Sequence, residues 1–182
     1  MKKVILSMSI VVLAIASCQN HGHFAEEIQT VDSLQATLSF YELKLDSVDE
    51  PRLREINPQV NELYEYLSKN YLDSLDRSFW ITKLNGMTIV KKGAGRYLAD
   101  YEKLSTEINY TQQQLATLRN SLADEKITEE DADQYLRDEA SATGEIILYV
   151  NKLQGPARLS IQIWDTLHPQ MRAMADSLQA LP

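Results

Sequence analysis

The amino-acid sequence predicts an all-α protein: an antiparallel bundle of three long, interrupted helical arms with coiled-coil-like packing. Three observations predict it. Apolar residues recur at alternating spacings of three and four from Phe24 almost to the end of the chain, the pattern that lays a stripe along one helix face. Two short stretches, near 70–75 and 123–127, break the pattern and leave three arms of nearly equal length. The 182 residues include only 6 Gly and 5 Pro, too few for a loop-rich or disordered chain. The expected organisation is a leader at 1–17, a short tether at 18–23 and one helical domain at 24–182. Its arms cover about 24–70, 74–123 and 129–180.

The first arm carries Val31, Leu34, Leu38, Tyr41, Leu45 and Val48 in strict alternation, then slips phase at Asp49-Glu50-Pro51. Asp49 can cap a new helix, and Pro51 is tolerated in its first turn. A second stripe follows at Leu53, Ile56, Val60, Leu63 and Leu67. Pro58 lies off that stripe and removes an internal hydrogen bond, which predicts a kink or a restart with Asn57 as cap. Asn70 is the expected stop, and Asp73 or Ser74 the expected next cap.

The second arm places Trp80, Met87, Ala94, Tyr101, Ile108, Leu115 and Leu122 seven residues apart. Val90, Tyr97, Leu104 and Leu118 interleave, with Lys83 and Thr111 as polar exceptions. The phase holds from 80 to 122 through Gly86, Gly93 and Gly95. Each glycine costs a helix roughly 1 kcal/mol relative to Ala, so the unbroken register argues for helix and the composition for a break at 85–95. Gly86 and Gly93 lie beside the stripe, where they would admit a neighbouring backbone.

The third arm begins with Thr128 and Asp131 in capping-box-like spacing. It continues through Ala132, Tyr135, Ala142, Ile146, Tyr149 and Leu153, with Glu139 as the polar exception and Leu136, Ile147 and Val150 widening the face. Gly155-Pro156 predicts an interruption. The stripe resumes one residue out of phase at Trp164, Leu167, Met171, Met174, Leu178 and Leu181, with Pro169 off it. Folding the arms back on one another brings Gly95 and Gly155 to similar heights, as it does Pro58 and Gly86. A shared waist or bend is expected, with Gly86, Gly93, Gly95, Gly155 and Pro156 as close-packing or hinge residues. Arms of this kind are stable only when they bury their stripes on each other, at the shallow crossing of 3-4 packing. A dimeric coiled coil would also satisfy the stripes, but short turns between equal arms favour the intramolecular bundle.

The N-terminus has a separate logic. Lys2 and Lys3 precede Val4 to Ala16, an apolar run broken only by Ser7 and Ser9. It is shorter than the roughly 20 residues needed to span a bilayer core and fits the apolar region of a secretory signal. It ends at Ile15-Ala16-Ser17-Cys18, and Cys18 is the single cysteine of the chain. This stretch resembles the lipobox of bacterial lipoprotein precursors. The resemblance covers the first 18 residues. It implies cleavage before Cys18, a diacylglycerol thioether on its sulfur and an amide-linked acyl chain on its nitrogen. At about 0.8 kcal/mol per buried CH₂, two or three long chains hold a protein at a membrane where one does not. Gln19 follows the cysteine, where Asp resembles an inner-membrane retention signal. The expected location is therefore the cell envelope, with the outer membrane favoured. The remainder of the chain looks like small, uncharacterised all-helical envelope lipoproteins, which supply no site residues.

Composition narrows the function. The formal net charge is −8, and loss of Lys2 and Lys3 with the leader makes it more negative still. An acidic chain without a basic cluster does not hold phosphates by counterion release, so nucleic acid is not an expected partner. His21-Gly22-His23 lies on the tether without further ligands, and His168 is remote. The Glu-x-x-His pairs of di-metal bundles are missing, and Glu129-Glu130-Asp131-Ala132-Asp133 lacks the central Gly and distal Glu of a calcium loop. Gly93-Ala94-Gly95 beside Lys91 and Lys92 matches no phosphate-binding loop. Glu139 and Thr111 are candidates for buried polar groups that set register. Tyr41, Tyr97, Tyr101, Tyr135 and Tyr149 are assigned to the core rim, and Tyr66 and Tyr110 to a partner-facing surface. The expectation is a non-catalytic, lipid-anchored protein that presents a helical surface to a protein partner, with no cofactor beyond the acyl lipid on Cys18. The alternatives are a bundle that binds a small apolar or metal ligand at the Gly/Pro waist, and an enzyme of unrecognised type.

Overall fold

The computed structural model describes residues 23–71 and 76–180. The leader at 1–17, Cys18, the tether as far as Gly22, and Asp73 and Ser74 in the first turn lie outside the described residues. Among the described residues the protein is all-α, with no strand. Helix α1 spans Ala25–Asp46 and α2 spans Glu50–Asn70. A π-helical segment, Phe79–Leu84, leads into α3 at Asn85–Ala123, and α4 spans Glu129–Gln179.

The first arm is two helices joined at the predicted phase slip. Ser47 ends α1, and Asp49 caps α2 by accepting the Arg52 N–H at 3.0 Å. Helix α2 continues through Pro58 without a restart, so Asn57 is an interior residue rather than a cap. Its carbonyl accepts the Asn61 side-chain amide at 2.6 Å. Asn70 closes α2 as expected, and Tyr71 follows in extended backbone. The cap of the next segment is Asp76, which accepts the Phe79 N–H at 2.9 Å and the Tyr71 hydroxyl at 2.8 Å.

The predicted register of the second arm fails at its start. The π-helical segment shifts the phase, so Phe79 is 1% exposed and Trp80 only partly buried. From Asn85 onward α3 is unbroken through all three glycines, and residues 85–95 are helix. Val90, Tyr97, Leu104, Ile108, Leu115 and Leu122 fill the core as the pattern requires.

The interruption predicted at Gly155-Pro156 is absent. Helix α4 runs 51 residues, about 75 Å at 1.5 Å per residue, with Pro156 and Pro169 inside it. Each proline forfeits one backbone hydrogen bond. Burial of Leu153, Ala157, Ser160 and Trp164 around Pro156 keeps the segment packed against its neighbours. Thr128 caps the helix by accepting the Asp131 N–H at 3.1 Å.

Cross-arm contacts fix the topology. Arg119 of α3 pairs with Asp32 of α1 at 2.6 Å, and Gln112 with Glu42 at 3.1 Å, so these helices run antiparallel. Helix α4 runs beside the first arm in parallel, through Lys44–Asn151 at 2.7 Å and Arg52–Asp165 at 2.9 Å. Two core clusters result. One joins α1, with Val48 and Leu53, to α3 from Ala94 onward and to α4 as far as Ala157; the other joins α2 from Ile56 onward to Phe79, to Met87 and Val90 of α3 and to α4 from Trp164 onward, with Ile161 packed against both. No described helix is long and apolar enough to cross a membrane.

Candidate functional site: the waist and the α3–α4 groove

The waist lies where the two clusters meet, and its closest point is Gly93. A Cβ there would stand 2.2 Å from Ser160 Oγ and 2.8 Å from the Pro156 carbonyl oxygen. Glycine therefore lets the α4 backbone reach α3, and Ser160 turns its hydroxyl back to the Pro156 carbonyl at 2.8 Å. Gly86 serves a similar end less strictly, because its Cβ would meet the terminal Cδ1 of Leu167 at 2.5 Å. Gly95 and Gly155 do not share the role. The nearest atom to a Gly95 Cβ is Asn57 Oδ1 at 3.7 Å, and a Gly155 Cβ would meet nothing within 4 Å. At Gly93 the space between the helices is filled by protein.

The α1–α2 joint sits at the same level. The buried Tyr97 hydroxyl donates to the Leu45 carbonyl at 2.9 Å, and burial holds its phenol well above the usual range. Tyr101 donates to Asp46 at 2.9 Å, which raises the Tyr101 phenol in turn. Arg158 donates to Ser47 Oγ at 2.6 Å. These bonds tie the end of α1 to both long helices.

Glu139 and Thr111 do not form the expected register pair. Thr111 is buried in the α3 stripe at 1% exposure. Glu139 is half-buried, and its Oε2 has no hydrogen-bond partner. Burial, reinforced by Asp138, pushes the Glu139 carboxyl above its ordinary value. Sequence reasoning missed the buried hydroxyls of Thr143 and Ser160. The signal for Ser160 was its small size three residues beyond Ala157, facing the Gly93 surface.

The larger correction concerns tyrosines. Tyr135 and Tyr149, assigned to the core rim, are 50% and 55% exposed. The wide apolar face of α4 contains two stripes. Ala132, Thr143, Ile146, Val150 and Leu153 are buried. Tyr135 and Tyr149 line an outward groove between α3 and α4. Tyr110, expected on a partner-facing surface, does line this groove, whereas Tyr66 packs partly into the second cluster. Glu139 sits in the groove beside Tyr135, with Gln114 and Leu118 of α3 opposite.

His23 and His168 have structural surroundings, and His21 lies outside the described residues. His168 stacks on Trp164 with ring centroids 4.5 Å apart, and His23 lies 3.2 Å from Glu129. Among the described residues no three His, Cys, Asp or Glu side chains are grouped to hold a metal.

The chain matches no protein-family model, and no curated protein or solved structure matches it either.

Proposed function

We propose that this chain is a lipid-anchored envelope protein, acylated at Cys18, whose helical bundle presents a surface to a protein partner without catalysing a reaction. The observation that carries the reading is the junction Ile15-Ala16-Ser17-Cys18 behind a charged start and a short apolar run. Charge, apolar length, small residues and the position of the cysteine all agree with it. Two features of the bundle support the display role. The arms consume their main stripes in the core, yet Tyr110, Tyr135, Leu148 and Tyr149 stay exposed on α3 and α4. Phe40 and Leu43 do the same on α1. Aromatic residues are the side chains enriched where proteins meet.

In this reading the anchor sets position, the bundle sets reach, and an exposed face supplies contact. The outer membrane is the favoured site. The test is fractionation and fatty-acid labelling of cells expressing the wild type or Cys18→Ser, combined with photocrosslinkers at Phe40, Tyr110 and Tyr149. The reading predicts that the wild type partitions with membranes and takes up labelled fatty acid, that the variant takes up none, and that a discrete protein adduct forms through at least one exposed face. Fatty-acid labelling that survives Cys18→Ser, or a bundle that forms no adduct from any face, contradicts it.

A further inference from the structure

The groove between α3 and α4 has an apolar floor, an acidic rim and, among the described residues, no helix over it. Its lining residues come from α3, the α3–α4 turn and α4, and none comes from α1, which packs on the opposite side. It forms two hollows, of about 280 and 510 Å³, one helical turn apart. Together they follow α3 from Asp100 to Ser121, about 30 Å at 1.5 Å per residue. The floor is Leu104, Ile146 and Leu153 in one hollow and Leu118 and Ile127 in the other, with the three tyrosines along the sides.

Charge chooses the occupant. Asp100, Glu107, Glu139 and Glu145 line the groove, against Lys103 as the single basic lining residue among those described. Lys152 lies next to it, over the Tyr149 ring at 5.5 Å. A second copy of this acidic chain would bring like charge to the rim. Glu139 sharpens the pointer, because its Oε2 has no partner among the described residues. Burial without a nearby cation disfavours its charged form, and an incoming ammonium or guanidinium group would restore it.

We propose that the α3–α4 groove is a docking site for a cationic amphipathic helix of a partner protein, with an apolar stripe on Leu104, Ile146 and Tyr149 and a basic side chain paired to Glu139. The helix would lie as a fourth member of the bundle, in the helix-in-groove mode of recognition. It needs about 20 residues to span the groove. The proposal rests on the display reading above and names the surface and its partner's chemistry.

The probe is a fluorescent amphipathic peptide of about 20 residues, built of Leu on one face and Lys on the other. Its anisotropy is followed against the full chain in non-ionic detergent. Saturable one-to-one binding is expected, with a Glu-faced counterpart failing to bind. Glu139→Gln keeps the side-chain shape and should weaken binding by about fivefold or more, the size expected on losing a close charge pair. Tyr149→Ser, with an unchanged helical spectrum, should weaken it similarly. Glu65→Gln removes the same charge on α2 and should leave the affinity unchanged.

Equal weakening by Glu65→Gln would mean diffuse attraction to an acidic protein and would overturn the proposal. So would unaltered binding to Glu139→Gln, or a groove occupied by a second copy, seen as a dimer crosslinked through position 149. The two readings fail separately. Peptide binding lost while an adduct forms in cells through Phe40 overturns the groove and spares the display role. Peptide binding retained while no cellular adduct forms does the opposite.

Discussion

Gly93 and Gly155 look alike in the sequence, each a local helix penalty at the expected waist, yet they have opposite meanings in the structure. At Gly93 a methyl group would collide with the Pro156 backbone, which belongs to a packed helix and cannot step aside. Overpacking of that kind costs about 1–3 kcal/mol, more than the roughly 1 kcal/mol a helix gains from Ala over Gly. Gly93→Ala should therefore lower stability in urea denaturation. A Cβ on Gly155 would meet no packed neighbour, but the Pro156 ring opposes a Cβ on the helical residue before it, so Gly155→Ala should fall short of the gain of about 0.5–1 kcal/mol that Gly144→Ala, also in open space within α4, should give.

Glu139 carries an electrostatic cost of folding. Its folded carboxyl binds a proton more tightly than the unfolded one, because burial and Asp138 disfavour the charge. It therefore works against folding at neutral pH and ceases to do so as pH falls through its raised value. Glu139→Leu should add about 1 kcal/mol at pH 7, the low end for a buried unsatisfied group, since solvent reaches part of the side chain. The gain should shrink near pH 4 in the same denaturation experiment. Asp76 contributes in the reverse sense. Its hydrogen bonds from Phe79 and Tyr71 hold it below the usual carboxylate range. The stability it contributes is present at neutral pH and is lost as acid protonates it.

Among the elements, the turn from α3 to α4 is the most instructive. Lys126 N–H bonds the Ser121 carbonyl at 2.9 Å and Glu125 N–H the Leu122 carbonyl at 3.1 Å, the paired bonds of a Schellman ending. The left-handed position of that motif is Glu125, with φ 52°. Glycine adopts this region without the Cβ penalty, so Glu125→Gly should stabilise the protein by up to about 1 kcal/mol in thermal unfolding. The sequence marks this turn by a loss of stripe, without the glycine that normally marks the motif.

The same scale shows why some elements were legible and others were not. The Asp49 and Thr128 caps and the stripe from Met87 to Leu122 were readable because each depends on local spacing alone. Phe79 was missed because a π-helical segment adds a residue per turn, and no i, i+3 or i, i+4 rule detects that. The unbroken run of α4 past Gly155-Pro156 was missed because local cost and tertiary gain oppose each other there, and only packing decides. Tyr135 and Tyr149 were misassigned because a wide apolar face does not reveal which of its stripes meets a neighbour and which meets water.

For the whole molecule, the fold class could be read from periodicity, whereas the groove could not. A bundle of three arms turns its main stripes inward and leaves an outward furrow between each pair of helices, and only the assembled structure shows how each furrow is lined. The two core clusters share α3 and α4 without a break, and Ile161 packs against both, so the two halves are expected to unfold together. Leu38→Ala in one cluster and Ile56→Ala in the other should each cost about 2–5 kcal/mol. Each should lower a single thermal transition seen by calorimetry, whereas two separated transitions would show independent halves.

In the proposed role the two parts act together, an acylated Cys18 that fixes position and a helical surface that supplies contact. The most direct measurement is the intact mass of the native protein extracted from the membrane fraction. The account predicts a chain that starts at Cys18 and carries the added mass of two or three acyl chains, all of it on that first residue. A chain that retains Met1, or one whose Cys18 sulfur is unmodified, would contradict it.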